Sequence, residues 1–209
     1  MLTIIQAAGW PIWPLIACSI LALALVIERF VALRTPRIAP PQLLDEVLTV
    51  CAKGLPSNET VGQLAQNSLL GEVLATGLRT LQTHPSSSEA ELRSAMEGAG
   101  RTAAHRLEKY LTALATIASA APLLGLLGTV IGMIEIFGSQ SGGGAVGTGN
   151  PAQLAHGISV ALYNTAFGLI VAIPALIFWR YFRSRADAYL LTMELAAEQL
   201  VRHLLRLRK

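Results

Sequence analysis

The chain has 209 residues, of which 53% are hydrophobic and only 14% are charged, and its formal net charge is +3. Soluble domains carry about 25% charged residues, so this composition excludes an ordinary soluble protein and predicts a membrane protein with a soluble portion. The two cysteines and four histidines show no metal-ligand spacing, and no catalytic motif is present. We therefore expect neither an enzyme nor a cofactor.

Charged residues are missing from three long runs of the chain. Residues 1–27, 110–134 and 136–179 contain no Asp, Glu, Lys or Arg, and each run exceeds the roughly 20 residues that span a bilayer. All 16 Lys and Arg residues lie in 28–109 or 180–209. The positive-inside rule places those segments in the cytoplasm. The basic residues therefore indicate orientation in a lipid bilayer and not a nucleic-acid partner.

These patterns predict an all-α membrane protein with three transmembrane helices, with its N-terminus in the periplasm and its C-terminus in the cytoplasm. The long second and third helices are expected to extend into a cytoplasmic helical domain. In chain order the expected segments are a periplasmic N-terminus (1–10), transmembrane helix 1 (11–31), the cytoplasmic helical domain (32–109), transmembrane helix 2 (110–137), a periplasmic loop (138–153), transmembrane helix 3 (154–180) and a cytoplasmic C-terminal helix (181–209).

The cytoplasmic segment carries its own helix signals. Apolar residues recur at helical spacing over 43–51 and again over 70–81, with Gly54 between the two patterns. Ser88 and Glu91 have the spacing of a capping box, so a helix begins there. No proline follows before the second span, which predicts one unbroken helix from Glu89 through the membrane.

The second span contains the stretch APLLGLLGTVIGM, which begins at Ala121. Small side chains recur along one narrow side of that helix, and Pro122 lies inside it; the small residues are Gly125, Gly128, Thr129 and Gly132. A second helix can approach such a side closely. Two interpretations stay open: a helix packed on its neighbour, or one side of a path on which Thr129 is the polar group.

The third span also combines small residues along one side with an internal proline. Its thin side comprises Ser159, Ala161, Thr165, Gly168 and Ala172, Asn164 lies beside it, and Pro174 lies inside the span. Threonine hydroxyls in lipid can bond a carbonyl of their own helix, but two threonines on two proline-bearing thin helices favour a hydrated path. The residues expected to line that path are Thr129, Thr165 and Asn164. Glu135, at the outer end of the second span, is the only acid between Lys109 and Asp187. Because an ion-coupled device needs an ionisable group at mid-membrane, that group is expected on a partner.

At these two spans the sequence resembles the ExbB/TolQ/MotA family of inner-membrane ion-channel subunits, nearest to ExbB and TolQ. The matching strings are SAAPLLGLLGTVIGM in the second span and GISVALYNTAFGLIVAIPA in the third. The order of the spans and the large segment between the first and the second also match. The family's pore threonines carry over to Thr129 and Thr165, and its prolines to Pro122 and Pro174.

The resemblance implies a pentamer around a central pore that holds single-span partners of the ExbD/TolR type. The membrane aspartate of those partners would titrate, and proton flow would energise a TonB or TolA type protein. The sequence departs from the family at Val160, where ExbB and TolQ usually have a glutamate, and Asn164 stands where alanine is common. Both departures make the partner's acid more essential.

Two other functions remain open from the sequence. One is a stator-like motor subunit of the MotA branch, although three spans and the limited cytoplasmic bulk differ from a flagellar stator. The other is a non-conducting membrane scaffold whose thin helix sides only pack a partner.

Overall fold

The computed structural model describes residues 9–141 and 151–207. In those ranges the chain forms eight α-helices, which are α1 (Ile12–Ala32), α2 (Thr35–Ile38), α3 (Leu43–Ala52), α4 (Asn58–Asn67), α5 (Leu69–Thr83), α6 (Glu89–Glu108), α7 (Leu111–Ser141) and α8 (Pro151–Leu207). The third predicted span and the predicted C-terminal helix are parts of the single helix α8.

The helices form two compact units. The apolar unit comprises Met1–Glu28 and Tyr110–Arg180, and the charged unit comprises Arg29–Lys109 and Tyr181–Lys209. Helices α1 and α8 each contribute residues to both units.

Three helical segments of the described chain are long and apolar enough to cross a membrane. In the apolar unit, Leu15 of α1, Ala121 of α7 and Ala172 of α8 form a buried core. At most 28% of each apolar segment is buried, and large side chains such as Leu123 and Ile134 stay about two-thirds exposed. So much outward apolar surface is typical of a membrane protein.

The charged unit has a conventional core built around α5. This helix packs against α4 and α6, and it buries one face; the buried residues include Leu70, Val73, Leu74, Leu78 and Leu81. Met193, Leu200 and Leu204 of α8 are also buried in the charged unit. Leu191 and Leu195 of the same helix are exposed.

The expectation of one unbroken helix from Glu89 through the second span is wrong. Helix α6 ends at Glu108, and Tyr110 has a positive φ of 66° before α7 begins. The left-handed conformation costs a non-glycine residue about 1 kcal/mol, so other contacts must stabilise the break. One is visible: Arg29 donates from Nη1 to the Leu107 carbonyl oxygen at 3.2 Å, and so satisfies a carbonyl that the helix end leaves open.

The bounds of the predicted loop, 138–153, overlap two helices. Helix α7 continues to Ser141 and α8 starts at Pro151. The remaining loop residues, 142–150, lie outside the described residues, as do residues 1–8 of the predicted periplasmic N-terminus.

The predicted capping box at the start of α6 is confirmed. The Ser88 Oγ accepts a hydrogen bond from the Glu91 backbone N–H at 3.2 Å, and Glu91 Oε2 accepts one from the Ser88 backbone N–H at 2.7 Å. The helix therefore begins where the sequence pattern places it.

Replacing Ser88 by Ala should loosen the first turn of α6. Loss of the cap costs about 1 kcal/mol, so amide hydrogen exchange in that turn should accelerate about fivefold. Hydrogen–deuterium exchange measured by mass spectrometry checks this. Thr102→Ala is the matched control, because the Thr102 hydroxyl is exposed in the middle of α6 and bonds only the Gly98 carbonyl there. Equal exchange in both variants would contradict the capping role.

The same box should make stability depend on pH. The hydrogen bond from the Ser88 backbone N–H lowers the pKa of the Glu91 carboxyl. Its stabilisation is therefore present above the ordinary glutamate pKa and is lost as pH falls through the lowered pKa of the folded state. We expect Glu91→Gln to lack this part of the acid-induced decrease in melting temperature. A melting temperature that falls equally with pH in both proteins would show that Glu91 contributes nothing.

Candidate functional site

Helices α7 and α8 are in close contact along their small residues. A Cβ atom added to Gly125 would lie 2.7 Å from the Asn164 backbone oxygen, and one added to Gly168 would lie 2.7 Å from the Ala121 oxygen. One added to Gly132 would lie 3.2 Å from the Ala161 Cβ. Residue numbers at the contact thus increase along α7 while they decrease along α8, so the two helices are antiparallel.

Gly128 faces the side chain of Asn164. A Cβ at Gly128 would approach Cβ, Cγ and Nδ2 of Asn164 to 2.7–2.8 Å, and Asn164 is only 2% exposed. The amide therefore occupies the space that a larger residue at position 128 would need. Asn164 is buried at the contact of α7 with α8, and this distinguishes it from the two half-buried threonines.

The two threonines make different hydrogen bonds. Thr129 donates to the Leu126 carbonyl oxygen of its own helix at 2.7 Å. Thr165 reaches across the contact toward the Gly125 carbonyl oxygen at 3.4 Å. Both side chains are half-buried. Each hydroxyl oxygen keeps acceptor lone pairs and sits at the edge of the contact.

Helical geometry puts both threonines on the same side of the helix pair. At about 100° per residue, Thr129 lies about 60° around α7 from the contact direction, and Thr165 lies about 60° around α8 in the same rotational sense. Because the helices are antiparallel and face each other, equal rotations bring the two side chains to one common side. We call this the threonine side; it also exposes Leu126, Leu162 and Leu169.

Helix α1 packs on the opposite side of the pair. Leu15 of α1 lies in a cluster with Leu124, Phe167 and Val171. These three residues point the other way around their helices from the threonines. Within the described part of the apolar unit, α1 therefore covers one side of the pair, and the threonine side is directed away from it.

The C-terminal half of α7 also borders an open groove of about 570 Å³. Thr129 is the only residue with a polar side chain among the residues that line it; the others are Val130, Met133, Ile134, Phe137 and Gly138. The groove therefore continues the threonine side with an apolar surface that a partner helix or lipid can contact.

The predicted prolines lie inside continuous helices. Pro122 is half-buried in α7, and Pro174 is exposed in α8. Each lacks the N–H that would bond the carbonyl four residues earlier.

The structure describes only some of the other titratable and polar groups of the chain. The side chains of Glu135, His156 and Val160 lie outside the described residues. Across residues 9–141 and 151–207, no group of three or more His, Cys, Asp or Glu residues could hold a metal ion. Cys18 and Cys51 are free thiols, and burial raises the pKa of Cys51.

Gly125→Ala should weaken the α7–α8 contact. The added methyl group would meet backbone atoms, which cannot rotate away, and overpacking of this kind costs about 1–3 kcal/mol. A lower melting temperature in detergent checks this. Gly138→Ala is the matched control in the same helix, because no described atom lies within 4 Å of its added Cβ. Similar melting temperatures for the two variants would rule out a tight contact at Gly125.

Comparison with known proteins identifies relatives over most of the chain. A model of the MotA/TolQ/ExbB proton channel family matches residues 65–195. ExbB-like 3 of Synechocystis sp. is 34% identical over 194 residues, covering 93% of this chain and 89% of that protein. Biopolymer transport protein exbB1 of Vibrio cholerae is 30% identical over 81% of this chain and 73% of its own length. Tol-Pal system protein TolQ of Pseudomonas aeruginosa is 28% identical over 83% of this chain and 77% of its own.

Proposed function

The chain belongs to the MotA/TolQ/ExbB proton channel family, and from this we propose that it is an inner-membrane proton-channel subunit. With a single-span ExbD/TolR-like partner, it converts proton-motive force into work on a TonB/TolA-type protein. Its membrane character and its general ExbB/TolQ-type role in energy transduction follow from the family and the apolar helices. The partners and the proton path are the proposal.

The observation that supports this proposal is that Thr129 and Thr165 lie on the same side of the helix pair. A hydroxyl can both donate and accept a hydrogen bond, so two of them on one side of a helix pair can hold water or relay protons. Helix α1 packs on the other side, which leaves the threonine side for a central pore. Five copies arranged in a ring, each with its threonine side inward, would enclose such a pore.

The proton-binding group would come from the partner. The apolar unit has no charged residue over 110–134 or 136–179. Asn164 is neutral and is packed against Gly128, and Val160 stands where ExbB and TolQ usually carry a glutamate. A membrane aspartate on the single-span partner would supply the carboxylate, and the hydroxyls on the threonine side would form hydrogen bonds with it or with water beside it.

The arginine and lysine distribution supports one orientation. The N-terminus and the loop between α7 and α8 would face the periplasm, and the charged unit would lie in the cytoplasm. This orientation directs α8 from the periplasmic side to the cytoplasmic side, where its basic residues begin at Arg180.

Close packing of the glycines favours a second candidate function. Gly125, Gly128 and Gly168 all lie in the contact between α7 and α8, as a membrane scaffold would require. Such a scaffold would assemble with its partner but would conduct no protons.

Thr165→Val distinguishes the two functions. Valine keeps the shape of threonine and removes the hydroxyl. Proton flux should therefore fall roughly tenfold, which corresponds to about the free energy of one lost hydrogen bond. Flux is measured in proteoliposomes that contain the chain co-purified with its single-span partner. Thr116→Val is the matched control, because Thr116 is exposed on another side of α7 and bonds the Thr112 carbonyl.

Assembly must be measured in the same samples. Conduction is supported if the Thr165 variant assembles normally and loses flux while the Thr116 variant keeps it. If the Thr165 variant assembles and conducts normally, the hydroxyl is not part of the path and the scaffold function is favoured.

A further inference from the structure

The charged unit contains a cavity of about 270 Å³ where the end of α1 and the start of α2 meet α8. Arg29, Arg34 and Arg185 line it, together with the Thr35 hydroxyl. The set of lining residues includes no aspartate or glutamate. A lining with three arginines and no acidic residue favours an anion.

Two acids of the charged unit pair with a different arginine. Arg183 pairs with Glu108 at 2.7 Å and with Asp187 at 3.3 Å. Arg183 does not line the cavity. These two acids are thus held by Arg183 and not by the arginines that line the cavity.

Two of the three arginines are held in place before any ligand binds. Arg185 donates to the Tyr189 hydroxyl at 2.6 Å and to Thr35 Oγ1 at 3.3 Å, and the Tyr189 hydroxyl donates to the Leu33 carbonyl at 3.2 Å. Arg29 is only 4% exposed and is fixed by its bond to Leu107. Such preorganised guanidinium groups suit the bidentate recognition of phosphate.

The rim of the cavity is aromatic and faces outward. Phe30 and Tyr181 are about half exposed, and the ring of Phe30 meets that of Phe182 edge to face at 5.0 Å. Phe30 follows the uncharged run that ends at Ile27, and Tyr181 follows the one that ends at Trp179. Aromatic residues at the end of a span mark the level of the lipid headgroups.

From this combination we propose that the cavity binds the phosphate of an anionic phospholipid of the cytoplasmic leaflet. The phosphate contacts Arg34 and Arg185, the buried charge of Arg29 adds attraction, and the acyl chains lie against Phe30 and Tyr181. Basic pockets beside membrane helices on the cytoplasmic side are suited to such headgroups. Neither the proton path nor the partner is needed for this site.

The test is a lipid titration of the delipidated full chain in nonionic detergent. Dioctanoyl-phosphatidylglycerol should raise the melting temperature in a saturable way. In Arg34→Gln/Arg185→Gln the concentration for a half-maximal shift should rise about tenfold or more, because two of the contacts to the headgroup are lost. Arg37→Gln/Arg206→Gln is the matched control, since it removes the same charge from exposed arginines outside the cavity and should leave the titration unchanged.

Two further ligands and the control variant test the nature of the interaction. Inorganic phosphate that gives the same shift would point to a soluble phosphate site and overturn the lipid proposal. Dioctanoyl-phosphatidylcholine that is as effective as phosphatidylglycerol would show a nonspecific amphiphile effect, and equal loss in both double variants would show a general charge effect; either result would overturn it.

A variant that fails to fold does not end the test. Arg34→Gln alone changes an exposed residue and leaves the bonds between Arg185, Thr35 and Tyr189 intact. Native mass spectrometry of the unmodified protein, mixed with phosphatidylglycerol and phosphatidylcholine in equal amounts, gives a second readout. Preferential retention of phosphatidylglycerol supports the site, and equal retention contradicts it.

Discussion

The apolar unit depends on backbone contact between α7 and α8, where Gly125 meets Gly168. A side chain on either residue would collide with main-chain atoms of the other helix. Lipid gives no hydrophobic drive to bring two helices together, so close van der Waals packing must hold the pair. The same contact fixes the rotation of both helices and thereby brings Thr129 and Thr165 to one side. Packing and the proposed path are therefore not alternatives at the atomic level, because the tight glycine contact positions the hydroxyls at its edge.

The sequence was sufficient for the all-helical fold class, the three apolar segments and the small residues, but not for the register of the helices. Charge-free runs and the Ser88–Glu91 spacing follow from local chemistry, and the structure has both features. The register of α7 on α8 does not follow from local chemistry, because small residues repeat about once per turn on both helices. A shift of one helical turn would still place small residues of α7 against small residues of α8. Only the three-dimensional structure therefore pairs Gly125 with Thr165. For the same reason, the burial of Asn164 against Gly128 carries no signal in the sequence.

The break between α6 and α7 shows a long-range contact overriding local preference. Neither Lys109 nor Tyr110 is a helix breaker, so the local pattern favours continuation. The left-handed Tyr110 becomes tolerable where the end of α6 is satisfied, and Arg29, 78 residues from Leu107, contributes one of those bonds. Arg29 looks in the sequence like an ordinary basic residue that follows a span. Its role as a helix-end donor is set by tertiary structure alone.

Exclusion of charge from the spans has a further consequence for the proposed mechanism. A chain that keeps every carboxylate out of 110–134 and 136–179 avoids the cost of burying ions when no partner is present. Under the proposed function, a partner's aspartate that enters this environment is desolvated, which raises its pKa. Threonine hydroxyls that turn from the Leu126 and Gly125 carbonyls and donate to the charged aspartate lower its pKa again. The affinity for the proton is then set by the balance of these two effects. The hydroxyl geometry of Thr129 and Thr165, and through it the glycine contact, thus becomes a determinant of how readily the partner's acid gains and releases its proton.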